Sequence, residues 1–178
     1  MTALPDHIRR KAENIRLAVF DVDGVMTDGG ILLDHEGGEI KVFHAHDGLG
    51  LVALQQAGVS VAIISSRTSR AVARRMLDLD VPHVLQGVRD KAQALQGLLS
   101  DLRINNNAMA FVGDDLIDLP AMALAGLSIA VANARPEVLA RADWVTRAAG
   151  GHGGVREVCE LLLQAQGKLA GWLKSYSG

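Results

Sequence analysis

The chain has 178 residues, 49% of them hydrophobic and 21% charged, with a formal net charge of −2. This composition describes an ordinary globular domain with a sizeable core and excludes a disordered chain. The near-neutral balance argues against nucleic acid or an anionic membrane as partner. No apolar run reaches the roughly 18 residues of a spanning helix, and no basic, then apolar leader opens the chain, so a cytoplasmic protein is expected.

In chain order, residues 1–14 read as a leading helix with Pro5 in its first turn. A buried strand over 16–20 follows and ends on Asp21, Asp23 and Gly24. The segment "GILLDHEGGEIKVFH" sets two short apolar runs around a polar, glycine-rich centre, which predicts a β-hairpin over about 30–43. Strands are then expected at 59–64, 83–85, 108–112, 127–131 and 143–146, and helices near 48–57, 69–78, 91–101, 116–125, 136–141 and 154–166. Gly58 and Gly126 stand where a helix hands over to the next strand. Asn105-Asn106-Asn107 reads as a polar loop before a strand. Cys159, alone of its kind, sits in a helical apolar pattern as a small buried hydrophobe.

Short all-apolar strands alternating with helices predict an α/β fold: a three-layer, Rossmann-like parallel sheet with a hairpin inserted after the first strand, in a single domain over 1–178. In such sheets ligands bind beyond the carboxyl ends of the strands. Four strand ends carry chemistry here: Asp21 and Asp23; Ser65, Ser66 and Arg67; Lys91 at the start of the next helix; and Gly113, Asp114, Asp115 and Asp118. Carboxylates gathered without cations repel, and a hard divalent cation such as Mg²⁺ relieves them. One carboxylate can then act as nucleophile while its neighbour moves protons. A hydroxyl, a lysine and free backbone N–H groups suit phosphoryl oxygens. Taken singly, D-x-D-G is often a turn, Asp114-Asp115 a helix cap, Lys91 a solvated lysine and Ser65 a turn residue. In this order, each behind a strand, they point to phosphoryl transfer to an aspartate.

The ordered set Asp21-Val22-Asp23, Ser65, Lys91 and Gly113-Asp114-Asp115-Leu116-Ile117-Asp118 resembles the haloacid dehalogenase-like phosphohydrolases over nearly the whole chain. The resemblance implies Asp21 as the nucleophile that becomes an aspartyl-phosphate, and Asp23 as acid for the leaving alcohol and base for water. Ser65 and Lys91 would hold the phosphoryl oxygens. Asp21, the carbonyl of Val22, Asp23, Asp114 and Asp118 would form or support the Mg²⁺ site, with Asp115 beside them. Only 41 residues lie between Asp23 and Ser65 and 22 between Lys91 and Asp114, too few for the cap domain of larger relatives.

Within the capless members, "DVDGVMTDG", "HDGLG", "VGDDLIDLP" and "ADWVTRAAGGHGGVREVCELLLQAQG" resemble the phosphatases of keto-deoxy sugar acid phosphates in lipopolysaccharide precursor synthesis. That subgroup implies a phosphosugar acid substrate, the eight-carbon 3-deoxy-D-manno-octulosonate 8-phosphate, with a nine-carbon analogue as the near neighbour. It also implies a homotetramer in which hairpins meet centrally and a neighbour's C-terminal tail, about 168–178, closes the site. Gly24, Ser66, Arg67, His46 and His152 become substrate-contact candidates. His46 and His152 stand where arginine is often expected, and histidine grips a carboxylate strongly only when protonated. His44 and His46 also fit an ordinary strand-end pair, and no third ligand has the spacing of a zinc site. A response-regulator receiver shares the acidic and lysine pattern but has no second carboxylate two residues after its phosphoacceptor. A protein phosphatase and a non-catalytic scaffold are the remaining alternatives.

Overall fold

Leu17–Phe20 forms the central strand, β1, because four consecutive apolar residues can be buried on both faces only in a covered parallel sheet. A computed structural model describes residues 4–177; residues 1–3 of the expected leading helix and residue 178 of the expected tail lie outside the described residues. After α1 (Asp6–Ala12) and β1 come the hairpin β2 (Leu32–Leu33) and β3 (Glu39–Ile40), then α2 (Ala45–Gln56), β4 (Ser60–Ile64), α3 (Arg70–Asp78), β5 (His83–Leu85) and α4 (Lys91–Leu102). The second half runs β6 (Met109–Gly113), α5 (Leu119–Met122), β7 (Leu127–Ala130), α6 (Pro136–Leu139), β8 (Trp144–Val145), α7 (Gly154–Ala165) and α8 (Leu169–Lys174).

Six strands form one parallel sheet in the order β5-β4-β1-β6-β7-β8. The chain walks outward from β1 through β4 to β5, then crosses back to β6 on the other side. Right-handed crossovers therefore place α2 and α3 on one face and α4 and α5 on the other. The reversal leaves a crevice at the carboxyl ends of β1 and β6, the position where open α/β sheets bind ligands. Phe20 pairs with Ile63 on one side and Val112 on the other, so Asp21 begins where both neighbours also end. Phe20 and Phe111 are fully buried in one continuous apolar core, each contributing about 2–3 kcal/mol of burial.

The sheet and its six strands agree with the sequence expectation to within a residue or two. The helix expected over 116–125 is instead a 3₁₀ turn, Leu116–Asp118, followed by the single turn α5. Pro120 is the reason: it lacks an N–H and fits only the first turn of a helix. The expected helix over 136–141 also stops early, at Leu139. Cys159 is fully buried, and burial pushes its thiol well above the ordinary value, as suits a packing residue. No helix among the described residues is long and apolar enough to cross a membrane.

Only the hairpin and α2 separate the first strand-end motif from β4, and no cap domain covers the crevice among the described residues. The hairpin turn is closed by Asp34, whose Oδ1 accepts the N–H groups of Glu36 (2.9 Å) and Gly38 (2.6 Å), with Gly37 at φ +82°. The apolar side chains of the hairpin face outward: Leu33 is 65% and Val42 66% exposed, and Ile31, Leu32 and Ile40 are also exposed. The tail forms α8, which folds back on α7 with Leu169 buried and Arg156 stacked 4.6 Å from the Trp172 ring centre.

Candidate active site

Asp21 lies at the carboxyl end of β1, its N–H donating to the Val112 carbonyl at 3.0 Å. The chain then turns sharply, and Val22 O accepts the N–H groups of Val25 (3.2 Å), Met26 (2.9 Å) and Thr27 (3.0 Å). This corrects the expected donor set: the Val22 carbonyl is spent inside the turn and is not available to a cation. The Asp23 carbonyl, next along, accepts no hydrogen bond among the described residues. Gly24 has φ +95°, and a Cβ there would overlap the Asp114 carboxylate, so both backbone freedom and space require glycine.

Lys91 is the first residue of α4, whose start is capped by Asp90 accepting from Gln93 N at 2.9 Å. Its Nζ reaches Asp21 Oδ1 at 2.8 Å and Asp118 Oδ1 at 2.6 Å, with all three side chains buried. Asp118 is brought in by the 3₁₀ turn, and its Oδ2 accepts the N–H groups of Asp114 (3.0 Å) and Asp115 (3.2 Å). Both its oxygens are therefore occupied, so Asp118 braces Lys91 and the acidic loop. Asp114 differs: its Oδ1 is buried and has no hydrogen-bond partner.

Asp21, Asp114 and Asp118 each offer an oxygen within 4.8 Å of the others. Three such carboxylates with one orphaned, buried oxygen fit a hard divalent cation of the Mg²⁺ type. The electrostatics agree. Burial, followed by the charges of Asp21, Asp118 and Asp115, pushes Asp114 up to about 7. Burial and the Asp118 charge push Asp21 up to about 6 against the pull of Lys91. Both folded values exceed the ordinary 3.8, so the cation-free folded chain holds extra protons and its stability falls as pH rises through roughly 4 to 7. A cation competes with those protons. Thermal unfolding of the chelator-treated protein is therefore expected to show a larger Mg²⁺-induced rise in Tm at pH 8 than at pH 5. An equal or larger rise at pH 5 would contradict the site.

The remaining candidates occupy distinct places. Ser65 is buried at the end of β4, with its N–H donating to Leu85 O (2.9 Å) and its Oγ accepting from Arg67 N (3.2 Å). Ser66 is exposed. Arg67 reaches back to the first motif, 3.9 Å from Asp23 Oδ2, and donates to Glu39 at 2.8 Å. His46 and His152 are both exposed, and neither bonds to the acidic cluster among the described residues. His46 packs edge-on against His44 at 4.9 Å, and His152 Nδ1 lies 3.0 Å from its own loop's Gly150 O. The GGHGG loop nevertheless borders the site: Gly151 N donates to Val25 O at 3.0 Å, and any Cβ on Gly150 would overlap Gly24 O.

Several residues at the site escaped the sequence reading. Asn133 ties the two loops, accepting from Gly150 N (2.7 Å) and donating to Gly24 O (3.4 Å). Asp47, buried on α2, accepts the Arg156 N–H at 2.7 Å and so caps α7 behind the GGHGG loop. Lys41 and Glu39 extend from the hairpin to Asp23 and Arg67. For that last pair a signal existed: in "EIKV" the charged residues alternate with the apolar ones, and a hairpin whose apolar face looks outward must turn Glu39 and Lys41 inward.

Comparison with known proteins identifies the family. The family described as haloacid dehalogenase-like hydrolase matches residues 83–158. The 3-deoxy-D-manno-octulosonate 8-phosphate phosphatase KdsC of Salmonella typhi is 49% identical over 163 residues, 92% of this chain and 87% of that protein. Its counterpart in Escherichia coli K12 is 50% identical over 159 residues, 89% of this chain and 85% of that one. The crystal structure of 3-deoxy-D-manno-octulosonate 8-phosphate phosphatase from Moraxella catarrhalis, in complex with magnesium ion, phosphate ion and KDO, superposes with a TM-score of 0.95 at 43% identity, covering 97% of this chain and 99% of that one. With this identity over about nine-tenths of its length and the fold in common with these relatives, the chain belongs to the haloacid dehalogenase-like hydrolases, in the family of the 3-deoxy-D-manno-octulosonate 8-phosphate phosphatases.

Proposed function

We propose that the chain hydrolyses 3-deoxy-D-manno-octulosonate 8-phosphate to the free sugar acid and inorganic phosphate, in the cytoplasm, as a step of lipopolysaccharide precursor synthesis. The observation that carries this reading is the buried junction of Lys91 with Asp21 and Asp118, 2.8 and 2.6 Å away, beside the unpartnered oxygen of Asp114. The relatives named above supply the substrate. Asp21, Asp114 and the Asp23 main-chain carbonyl would hold Mg²⁺, with Asp118 bracing them. When bound, the ion supplies positive charge opposite the phosphoryl oxygens and the attacking carboxylate.

The chain's own groups carry the chemistry. An Asp21 oxygen attacks phosphorus, the bond to the sugar C8 oxygen breaks, and Asp23 gives its proton to that leaving alkoxide. Water then attacks the aspartyl-phosphate, loses a proton to Asp23, and phosphate leaves with Asp21 regenerated. Lys91 holds Asp21 in line and, with the Ser65 hydroxyl, faces the phosphoryl oxygens. Arg67 is the cation best placed for the sugar acid: it is about half exposed and within 3.9 Å of Asp23. Gly24 and Ser66 would border the phosphate, while His46 and His152 would act from the rim.

A homotetramer also belongs to this reading. It is supported by the row of exposed apolar side chains on the outer face of the hairpin, a surface that water penalises and that hairpins of other copies would cover. Because α8 is docked on its own α7, the part of the tail able to reach a neighbour's site begins after Lys174. The test is a kcat/KM panel of eight- and nine-carbon keto-deoxy sugar acid phosphates on protein sized by sedimentation. The eight-carbon substrate is expected to lead by at least about tenfold on a tetramer. A nine-carbon lead overturns the substrate, and a fully active monomer overturns the assembly.

A further inference from the structure

The inward face of the hairpin holds a buried cation that the phosphoryl-transfer scheme leaves without a task. The Lys41 side chain is only 1% exposed, yet it projects from a two-stranded hairpin and not from the core. Its Nζ hydrogen-bonds to Asp23 Oδ1 and lies 3.2 Å from Glu39 Oε1. Glu39 in turn accepts from Arg67 Nη2 at 2.8 Å, and Arg67 Nε lies 3.9 Å from Asp23 Oδ2. Two cations and two carboxylates thus close a ring with no net charge, and Asp23 is the one member that the chemistry uses.

Burying an ammonium group costs several kcal/mol, and a buried ion-pair network replaced as a whole by apolar residues usually leaves a fold as stable or more so. Stability alone therefore does not account for Lys41. Nor can its ammonium meet a substrate, since it is enclosed and already shared between two carboxylates. What the contact does is select one oxygen of Asp23. With Oδ1 tied to Lys41, the plane of the carboxyl group is set, and Oδ2 lies toward Arg67 without a hydrogen bond among the described residues. A side chain held in one rotamer delivers its proton along one line, and orientation of this kind accounts for much of the efficiency of an acid–base group.

We propose that Lys41 is a positioning residue for Asp23: by occupying Oδ1 it leaves Oδ2 as the oxygen that gives a proton to the leaving alkoxide and takes one from the attacking water. This rests on the assignment of Asp23 as the acid–base group. It also makes the hairpin part of the catalytic apparatus, because the strand that carries Lys41 inward carries Ile40 and Val42 outward.

The test uses the Mg²⁺-loaded enzyme with p-nitrophenyl phosphate, whose leaving group departs without a proton, so formation of the phospho-enzyme does not need Asp23 while its hydrolysis does. Lys41→Met keeps the length of the side chain and removes the charge. It is expected to give a rapid burst of p-nitrophenolate near one equivalent per site, followed by turnover about 10²-fold slower than the parent. On the sugar acid phosphate, kcat is expected to fall by a similar factor with KM within about threefold. Lys41→Arg, which restores a donor and a charge, is expected to recover most of the loss.

A parent-like turnover in Lys41→Met overturns the proposal. So does loss of burst and turnover together in a protein with parent-like circular dichroism, which would place Lys41 on phosphoryl transfer. Should Lys41→Met fail to fold, Lys41→Gln is judged by the same two readouts. Asp21→Asn, run alongside, separates the two levels. If it turns over, the aspartyl-phosphate reading fails; if it is inert beside a parent-like Lys41→Met, only the positioning role fails.

Discussion

Asp21→Asn is expected to lower kcat on the sugar acid phosphate by at least about 10⁴-fold, with no loss of folded stability. The substitution is isosteric, but the amide oxygen is a poor nucleophile and cannot form the acyl-phosphate. No neighbouring carboxylate can take over. Asp118 has both oxygens committed, to Lys91 and to the Asp114 and Asp115 N–H groups. Asp114 follows β6 and is aligned with the turn after β1, not with the strand end itself. The stability half of the expectation follows from charge. Asp21 is buried beside Asp118 and held up to about 6, so it is still mostly ionised at neutral pH but carries that charge at a cost to the fold. Removing that charge relieves Asp114 as well. Without a cation, Tm at pH 8 is expected to equal or exceed that of the parent, and the Mg²⁺-induced rise is expected to shrink. Turnover within tenfold of the parent would remove Asp21 from the chemistry.

Lys91→Met is expected to do the opposite to stability. Lys91 is the only cation between Asp21 and Asp118 among the described residues, and all three side chains are shielded from water. Truncating it leaves two like charges buried without a partner, a loss of about 3–5 kcal/mol at neutral pH. Burial alone would lower the Lys91 ammonium, but Asp21 and Asp118 more than restore it and hold it above the ordinary 10.5. With the folded value raised, its contribution is fully present below pH 10.5 and is lost only above that, so it spans the whole neutral range. Acidification narrows the gap between variant and parent, because the two stranded carboxylates take up protons. Chemical denaturation at pH 7.5 and pH 5 measures both effects. A variant as stable as the parent at pH 7.5 would mean that the triad is solvated in solution. In activity, kcat is expected to fall by about 10²–10³-fold, since a charge facing the phosphoryl oxygens is gone.

The two substitutions separate roles that share a single ion triad. Asp21 costs the fold and, in the proposed reaction, serves the chemistry; Lys91 serves the fold and, in that reaction, the chemistry as well. This division explains why the acidic motif needs its third carboxylate, Asp118. Asp118 sits at the end of a turn that Pro120 prevents from becoming a longer helix, and the turn is what aims its two oxygens in two directions.

The parallel sheet was legible in the residues because its strands are short and mostly apolar, the central β1 and β6 buried throughout, and a run buried on both faces has few other solutions. The strand-end motifs were legible because a parallel sheet delivers all its carboxyl ends to one rim. From that rule alone, Asp21, Lys91, Asp114 and Asp118 could be assigned to a common site while far apart in sequence. Glycine at position 24 was likewise readable as a turn residue, although the reason that no side chain fits is the Asp114 carboxylate, 90 positions away.

What the sequence by itself determined, then, was the order of strands and helices, the rim on which the chemistry lies and the types of residue gathered there. All of these follow from hydrophobic periodicity and chain direction, which are local properties. Only the tertiary structure decided how each polar atom is spent. The Val22 carbonyl is consumed by the turn it initiates, Asp118 by Lys91 and two N–H groups, and Asp47 by a helix more than 100 residues further on. Lys41 is one charge of a hairpin that turns inward onto Asp23, a placement decided by the whole fold. A buried donor or acceptor must find a partner, and which partner it finds depends on what the whole fold brings within about 3 Å.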